Sequence, residues 1–138
     1  MSDLKECVVL VVDDSEINLD ILVEALGDLH EVVVAKDGAS ALDVVAQAPP
    51  DLILLDIMMP GMDGFETLAR LKADPRAMTI PVVFLTAMSD IETKTRGFEL
   101  GAVDYVVKPF EILEVRARVR THLTLAMAKR ELARQNDA

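Results

Sequence analysis

Tryptophan is absent from this 138-residue sequence, which also has a single cysteine, Cys7, one tyrosine and four phenylalanines. One cysteine excludes an intrachain disulfide and any multi-cysteine metal site. With so few aromatic rings, the interior has to be built from Val, Leu, Ile, Ala and Met, which favours an aliphatic α/β core.

Long apolar runs are missing as well. No stretch approaches the roughly 18 apolar residues that a bilayer-spanning helix needs. The opening residues MSDLKE lack the basic and then apolar pattern of a secretion signal. We therefore predict a cytoplasmic protein with no membrane association.

Basic side chains are scarce over most of the chain. Residues 1–110 carry 8 basic and 20 acidic side chains, a net charge of −12, whereas residues 111–138 carry 6 and 4, a net charge of +2. Because an acidic surface repels a phosphate backbone, we predict no direct nucleic acid binding by this domain. The length, with 51% hydrophobic and 28% charged residues, fits one ordinary globular domain.

Short apolar runs alternate with segments of helical spacing. The runs lie at 7–12, 31–35, 51–56, 80–86 and 102–108, and the helical segments at 17–26, 37–48, 64–73, 90–101 and from Glu111 onward. This (βα)5 pattern predicts right-handed crossovers and a doubly wound parallel sheet with helices on both faces. In such sheets ligands bind beyond the carboxyl ends of the strands, so the residues that follow each strand are the candidate site.

Five polar residues stand at those predicted strand ends. Asp13 and Asp14 follow the first strand, Asp56 closes the third, Thr86 closes the fourth and Lys108 closes the fifth. Three clustered carboxylates repel one another unless a cation lies among them, and hard oxygen ligands suit Mg2+. The ammonium and the hydroxyl would then contact phosphoryl oxygens, with the Asp56 carboxylate as nucleophile.

Four motifs resemble those of the response regulator receiver family: the acidic pair in VVDDSEIN, the segment LLDIMMPGMDG, the threonine of FLTA and the lysine of VVKPF. They occur in order over residues 7 to about 122. The resemblance implies a flavodoxin-like sheet with strand order 2-1-3-4-5. It also implies a two-component phosphorelay protein, a switch rather than an enzyme, which takes phosphoryl groups from a histidine kinase or phosphotransfer protein.

The same resemblance implies roles for individual residues. Asp56 would be phosphorylated, Asp14 would hold Mg2+ directly and Asp13 through water, and the main-chain carbonyl of Met58 would be a further ligand. Thr86 and Lys108 would bind the phosphoryl group. The peptide bond between Lys108 and Pro109 would be cis, and Tyr105 would rotate with Thr86 on activation. That rotation would change the face formed by helix 4, strand 5 and helix 5, through which a homodimer could form.

Two other functions use similar parts. A phosphohydrolase of the haloacid dehalogenase type needs a second aspartate two residues after its nucleophile, where this chain has Met58. A flavodoxin-like FMN carrier needs a hydroxyl-rich, nonacidic loop after the first strand, and DDSE is the reverse.

Some residues lie outside the predicted chemistry. Met58 and Met88 follow Asp56 and Thr86 by two residues, where they could screen a phosphoryl group from water. Gly61 and Gly64 are assigned to turn geometry and to the start of helix 3. Neither His30 nor His122 has an acidic or hydroxyl partner at a useful spacing, so neither is predicted to be catalytic.

The chain after the fifth strand exceeds what a receiver needs. From Glu111 to about Arg134 there is no Gly or Pro, which permits one helix of about 24 residues and roughly 36 Å. We predict a receiver domain at 1–122 and an extension of helix 5 at 123–138. The extension could lead to an output domain or end a stand-alone protein, and the sequence favours the former slightly.

Overall fold

The computed structural model describes residues 4–87 and 90–136. After a short 3-10 turn at Leu4–Glu6, strands and helices alternate: β1 Val8–Val12, α1 Glu16–Leu26, β2 Glu31–Ala35, α2 Gly38–Gln47, β3 Leu52–Asp56, α3 Gly64–Ala73, β4 Val82–Thr86, α4 Ile91–Leu100, β5 Asp104–Val107 and α5 Ile112–Asn136. The strands form one parallel sheet in the order β2-β1-β3-β4-β5. The predicted (βα)5 doubly wound fold and its strand order are confirmed.

The three central strands β1, β3 and β4 are buried on both faces, which explains why they read as continuous apolar runs, whereas the edge strand β2 is largely exposed. Alternate residues of β1 enter separate core layers, Leu10 and Val12 on one side and Val9 and Val11 on the other. The first layer is completed by side chains from α2 and α3, and the second by side chains from α1 and α5. A fully buried residue such as Leu10 contributes about 1.5–3 kcal/mol to folding.

Four helices begin with a capping side chain directly after a loop from the sheet. The N-cap residues Ser15, Asp37, Asp63 and Asp90 accept hydrogen bonds from the backbone amides of Asn18, Ser40, Glu66 and Thr93. Each cap stabilises its helix by about 1 kcal/mol. Since the helices start only there, the residues between strand end and cap remain in loops at the carboxyl edge of the sheet.

Two strands are shorter than the apolar pattern predicts. β4 begins at Val82 rather than at residue 80, and the Pro81 nitrogen that precedes it has no hydrogen to donate to a ladder. β5 begins at Asp104 rather than at residue 102, because the Ala102 amide donates to the Gly97 carbonyl and closes the end of α4. Ile80, Pro81 and Ala102 are nevertheless buried, so at these positions the apolar pattern marks burial rather than strand pairing.

The last two helices differ in how firmly they are packed. Within α4 the only buried residue is Gly97, whereas α5 buries Val115, Val119 and Leu123 along its first half. α5 is one helix of 25 residues, close to the predicted length. Within residues 4–87 and 90–136, no helix has both the length and the apolar content needed to cross a membrane.

Candidate functional site

Three carboxylates meet at the carboxyl edge of the sheet, as the sequence predicts. Asp13 follows β1 and is fully buried, Asp56 closes β3 and is 2% exposed, and Asp14 is exposed to solvent. One oxygen from each of them lies within 4.8 Å of the others. The parallel strands produce this cluster, because β1 and β3 are hydrogen-bonded neighbours whose ends share one edge.

Lys108 joins two of the three carboxylates from the end of β5. Its Nζ atom lies 3.1 Å from Asp13 Oδ2 and 3.1 Å from Asp56 Oδ1. The Lys108 backbone amide also donates to the Thr86 carbonyl at 2.8 Å, which fixes the end of β5 beside the end of β4. The bond to Pro109 is cis, as the resemblance implies. The ammonium therefore occupies a defined position at the site.

Burial and neighbouring charges shift the pKa values of Asp56 and Lys108. Burial, and after it the charge of Asp13, raise the pKa of Asp56 to about 6, although the ammonium of Lys108 and the Met58 amide oppose the rise. Desolvation by itself lowers the pKa of Lys108, but the charges of Asp56 and Asp13 outweigh it and hold that pKa above its ordinary value. At neutral pH Asp56 is ionised, and one ammonium faces more than one negative charge.

The remaining oxygen contacts of Asp13 come from its own loop. Its Oδ1 accepts from the Ser15 amide at 2.9 Å, and its Oδ2 accepts from the side-chain amide of Asn18 at 3.3 Å. These bonds orient the Asp13 carboxylate before any ligand binds. Asn18 was not singled out from the sequence, because an asparagine in the first turn of a helix has no distinguishing spacing.

The loop after β3 is held close to Asp56 by a glycine. A side chain on Gly64 would overlap the backbone of Asp56 and Ile57, and the Gly64 amide donates to the Ile57 carbonyl at 2.8 Å. Gly61 has a φ of 76°, a left-handed conformation that favours glycine. The backbone amide of Met58 favours the ionised form of Asp56 and so lowers its pKa, while the Met58 side chain is 64% exposed.

Thr86 and Tyr105 lie on neighbouring strands and are both buried. The Tyr105 hydroxyl donates to backbone carbonyls of α4, at 2.8 Å for Lys94 and 3.1 Å for Thr93. Its ring contacts Phe84 and Phe98 at centroid distances of 5.7 and 5.1 Å. Tyr105 is thus turned inward beneath α4.

The acidic cluster is suited to a hard divalent cation. Its donors are carboxylate oxygens, which Mg2+ prefers, and the exposed Asp14 leaves the cluster open to water and to a second ligand. Asp13, Asp14 and Asp56 are the side chains that could hold such an ion. Met88, placed beside the pocket by the sequence pattern, lies outside the described residues.

His122 has an acidic partner that its sequence spacing does not reveal. The His122 ring nitrogen Nε2 lies 2.9 Å from Asp104 Oδ2, although no acidic residue is near His122 in sequence. Arg118 donates to the same carboxylate at 2.9 Å. Burial alone would raise the pKa of Asp104, but hydrogen bonds from His122, the Tyr105 amide and Arg118 outweigh it and hold the pKa below its usual value. Only the packing of α5 against β5 creates this cluster.

The chain is similar to known signalling proteins. Residues 9–120 match the family described as "Response regulator receiver domain". A "Probable cyclic di-GMP phosphodiesterase" of Vibrio cholerae is 45% identical over 137 residues, which cover 99% of this chain and 31% of that protein. "Response regulator PleD" of Caulobacter vibrioides is 44% identical over 131 residues, 94% of this chain and 29% of that protein. The structure of the chemotaxis protein CheY4 of Vibrio cholerae superposes with a TM-score of 0.81 at 32% identity, covering 84% of this chain and 98% of that one. The chain thus spans about a third of the length of the first two relatives.

Proposed function

Since this chain belongs to the response regulator receiver domain family, we propose that it is a phosphoryl-accepting switch of a two-component phosphorelay, modified on Asp56. The donor is a histidine kinase or a phosphotransfer protein, the partners with which receiver domains of response regulators interact. The observation that carries the proposal is the contact of Lys108 Nζ with Asp56 Oδ1 inside a cluster of three carboxylates. The proposed location is the cytoplasm, where such donors carry their phosphoryl groups.

The transfer exchanges one bond to phosphorus for another. An oxygen of the ionised Asp56 carboxylate attacks the phosphorus atom, the bond from phosphorus to the donor histidine nitrogen breaks, and the imidazole leaves with the bonding electrons and takes up a proton. Lys108 offers its ammonium to the transferred oxygens, and we assign the Thr86 hydroxyl to the same task. Thr86 closes β4, the neighbour of the strand that Asp56 closes, and Lys108 follows β5, one strand further along, from where its Nζ reaches Asp56.

We propose that Mg2+ is held by four groups: the side chains of Asp13, Asp14 and Asp56 and the main-chain carbonyl of Met58. The bound ion supplies positive charge to the phosphoryl oxygens and offsets the repulsion among the carboxylates. The chain's own contribution is to orient Asp13 through Ser15 and Asn18 and to exclude water from one side of Asp56.

Phosphorylation from a small donor tests this directly. Acetyl phosphate with Mg2+ should add one phosphoryl group per chain at Asp56, and mass spectrometry of the intact protein should detect it. The Asp56→Asn protein should show no gain, and Asp20→Asn, which removes an exposed carboxylate of α1, should behave as the parent. An unchanged parent mass, or an equal gain in Asp56→Asn, would eliminate the proposal.

The lifetime of the phosphoryl group should depend on Met58. Its thioether cannot orient an attacking water, so we expect slow hydrolysis of the acyl phosphate. Exchange of Met58 and Met88 for glutamine should speed the loss by roughly tenfold, less than the ~100-fold that a positioned general base contributes. Decay followed by mass spectrometry decides the matter. Equal lifetimes in the parent and the double variant would show that neither side chain shields the site.

Signalling is proposed to run through α4, β5 and α5. Tyr105 joins β5 to α4 through its hydroxyl, and Gly97 is the one fully buried residue of α4, so a movement of Thr86 at the end of β4 can release the ring. A ligand shifts such an equilibrium only by its unequal affinity for the two states. The new face would then bind an effector or a second copy of the chain.

Beryllofluoride, which mimics a phosphoryl group on aspartate, gives a check of this switch. We expect backbone amide NMR signals of α4 and β5 to move and the sedimentation coefficient to change when homodimers form. Signals from α2 should move least, because α2 follows β2, the edge strand at the far end of the sheet from β5. Spectra and sedimentation that are identical with and without beryllofluoride would contradict the assignment of this face.

We further propose that residues 1–122 form the receiver and that residues 123–138 continue α5 toward an output domain. α5 runs without interruption from Ile112 to Asn136, and most of its residues beyond Leu123 are exposed. The first two relatives named above are about three times as long as the match, which fits a receiver joined to further domains. The long helix would carry the change at α4, β5 and α5 to that output.

A further inference from the structure

A second pocket lies at the amino-terminal edge of the sheet, opposite to the carboxylate cluster. It measures about 380 Å³. Its walls come from the turn before β1, from the turn before β2 and from α5: Leu4, Leu29, His30, Arg116, Ala117 and Arg120. The residues that line it include two arginines and no carboxylate. In a protein with a net charge of −10, this is a local reversal of sign.

The two arginines of this pocket lack the ion pairs that five of the other six arginines form. Among residues 4–87 and 90–136, neither Arg116 nor Arg120 has a carboxylate oxygen within 4.0 Å. Five other arginines are paired with Asp or Glu: Arg70, Arg76, Arg118, Arg130 and Arg134. Arg96 instead stacks on the ring of Phe65 at 4.2 Å.

Arg116 and Arg120 are four residues apart on α5, so they lie on one side of the helix. Like charges at this spacing repel and destabilise the helix unless an anion lies between them. The guanidinium of Arg116 is already oriented, because its Nε donates at 2.7 Å to the Ala25 carbonyl in the last turn of α1. The other donors of that guanidinium remain available, and they match an oxyanion in geometry.

His30 adds a polar atom without a partner. Its side chain is buried, with 6% of the residue exposed, and its Nδ1 contacts the Leu4 carbonyl at 2.8 Å. A carbonyl only accepts, so Nδ1 carries the hydrogen and donates it. The second ring nitrogen, Nε2, is buried and has no hydrogen-bond partner in the described part of the chain. Buried polar atoms without partners are uncommon in native proteins and indicate a missing partner. Because Nδ1 carries the ring hydrogen, Nε2 of the neutral ring accepts, so that partner has to offer a hydrogen, as the remaining hydroxyl of a singly ionised phosphomonoester does.

From these observations we propose that this pocket binds a small organic phosphomonoester. The phosphate group lies between Arg116 and Arg120, and the organic part packs on Leu4, Leu29 and Ala117. A pocket of this size is at the small end of the range for ligand sites, which fits a compact metabolite rather than a dinucleotide. The site is independent of Asp56 and would give the domain a second chemical input, at the opposite edge of the sheet from the first.

Titration of the magnesium-free protein with phenyl phosphate tests the proposal. EDTA is present throughout, so the acidic cluster repels the probe. Backbone amide NMR should place the largest shifts at Leu29, His30 and Ala117, with a movement of the His30 ring nitrogen signals and none at Asp13 or Asp56. We expect a dissociation constant below about 1 mM. Inorganic phosphate should bind at least about tenfold more weakly, because it cannot use the apolar wall.

Two charge-matched variants of α5 separate a specific site from general attraction. Arg120→Gln should weaken phenyl phosphate binding about tenfold, since it removes charge-assisted hydrogen bonds and leaves the Ala25 contact of Arg116 intact. Arg134→Gln removes the same charge from an exposed position of the same helix and should bind within about twofold of the parent, because a distant charge is screened. Circular dichroism melts verify that both variants fold.

Asp3 needs its own control, since it lies outside the described residues and one position before the pocket residue Leu4. Asp3→Asn should bind phenyl phosphate as the parent does. Binding that appears only in Asp3→Asn would make the Asp3 carboxylate the natural occupant and overturn the proposal. Equal binding by Arg120→Gln and the parent, equal binding of inorganic and phenyl phosphate, or no shifts at all would do the same. The Asp56→Asn protein should give the parent's result, so failure here is separable from failure of the phosphorylation site.

Discussion

At pH 8 in EDTA, the Asp56→Asn protein should unfold about 5–10 °C above the parent protein. The side chain keeps its shape while one negative charge leaves a buried site that also holds Asp13. A pKa raised from 3.8 to about 6 corresponds to about 3 kcal/mol of destabilisation by the ionised carboxylate. That value already contains the opposing effect of the Lys108 ion pair, and because an asparagine amide does not fully replace a protonated carboxyl group we expect a stabilisation of about 2 kcal/mol.

The raised pKa of Asp56 also determines how the stabilisation by Asp56→Asn depends on pH. Asp56 holds its proton more tightly in the folded protein than in the unfolded chain, so between about pH 4 and 6 the folded state binds more protons. The parent therefore loses stability as the pH rises through this window, and the loss is complete above it. The advantage of Asp56→Asn should be full at pH 8 and should vanish below about pH 4.

Added Mg2+ should narrow the difference between the two proteins. At ten times its dissociation constant, an ion that binds only the folded state stabilises it by about 1.4 kcal/mol. The increment should be smaller in Asp56→Asn, because the substitution and the ion relieve the same repulsion and their effects are not additive.

Thermal melts of both proteins at fixed ionic strength, with EDTA or Mg2+, measure all of these effects. Asp20→Asn is the matched control, since it removes an exposed carboxylate of α1 and should shift neither melt. A metal-free Asp56→Asn protein that melts below the parent, with equal gains from Mg2+ in both, would mean that the three carboxylates do not act as one site.

Gly97→Ala should destabilise the protein by about 2–4 kcal/mol, even though alanine is the better helix former by about 1 kcal/mol. A methyl group at Gly97 would overlap the hydroxyl of Tyr105 and approach Phe84 Cε2 to 2.9 Å. Gly97 is also the single buried position of α4, so this is where the helix backbone packs directly on the core. Either α4 or the Tyr105 ring has to move.

A double-mutant cycle locates the clash. In a Tyr105→Ala background the overlap with the hydroxyl is gone and only the approach to Phe84 remains, so Gly97→Ala should there cost less than about 1 kcal/mol, which gives a coupling energy of at least about 1 kcal/mol. Thr95→Ala, at an exposed site on the same helix, should change the free energy of unfolding by less than about 0.5 kcal/mol. Urea denaturation of the four proteins and the control is sufficient. Equal costs of Gly97→Ala in both backgrounds would place the strain elsewhere.

Much of the fold could be predicted because its rules are local. The runs VVLVV and LILLD are buried on both faces, a pattern that parallel strands require, and caps such as Asp63 mark where helices start. The first and last residues of the strands were predicted less accurately, because the apolar pattern reports burial and not strand pairing. Ala102 is buried like a strand residue, yet its amide closes α4.

The candidate site was predictable for a topological reason. Strand ends of a parallel sheet share one edge, so Asp13, Asp56 and Lys108 had to converge once their strands were assigned. Contacts between distant elements had no such rule. The pairing of His122 with Asp104 and the approach of Arg116 to Ala25 depend on how α5 lies against β5 and α1, and no spacing in the sequence encodes them.

The Tyr105 hydroxyl that bonds to the carbonyls of α4 belongs to the one tyrosine in a chain without tryptophan. All tyrosine fluorescence from the unlabelled protein therefore originates at a single ring, and no tryptophan is present to accept its excitation energy by transfer. A phenol that donates to a carbonyl emits less than one that faces water, so departure of the ring from beneath α4 brightens the protein. Tyr105 is therefore an intrinsic fluorescent probe of the contact between β5 and α4. Stopped-flow fluorimetry can measure the rate at which that contact breaks, without an added dye.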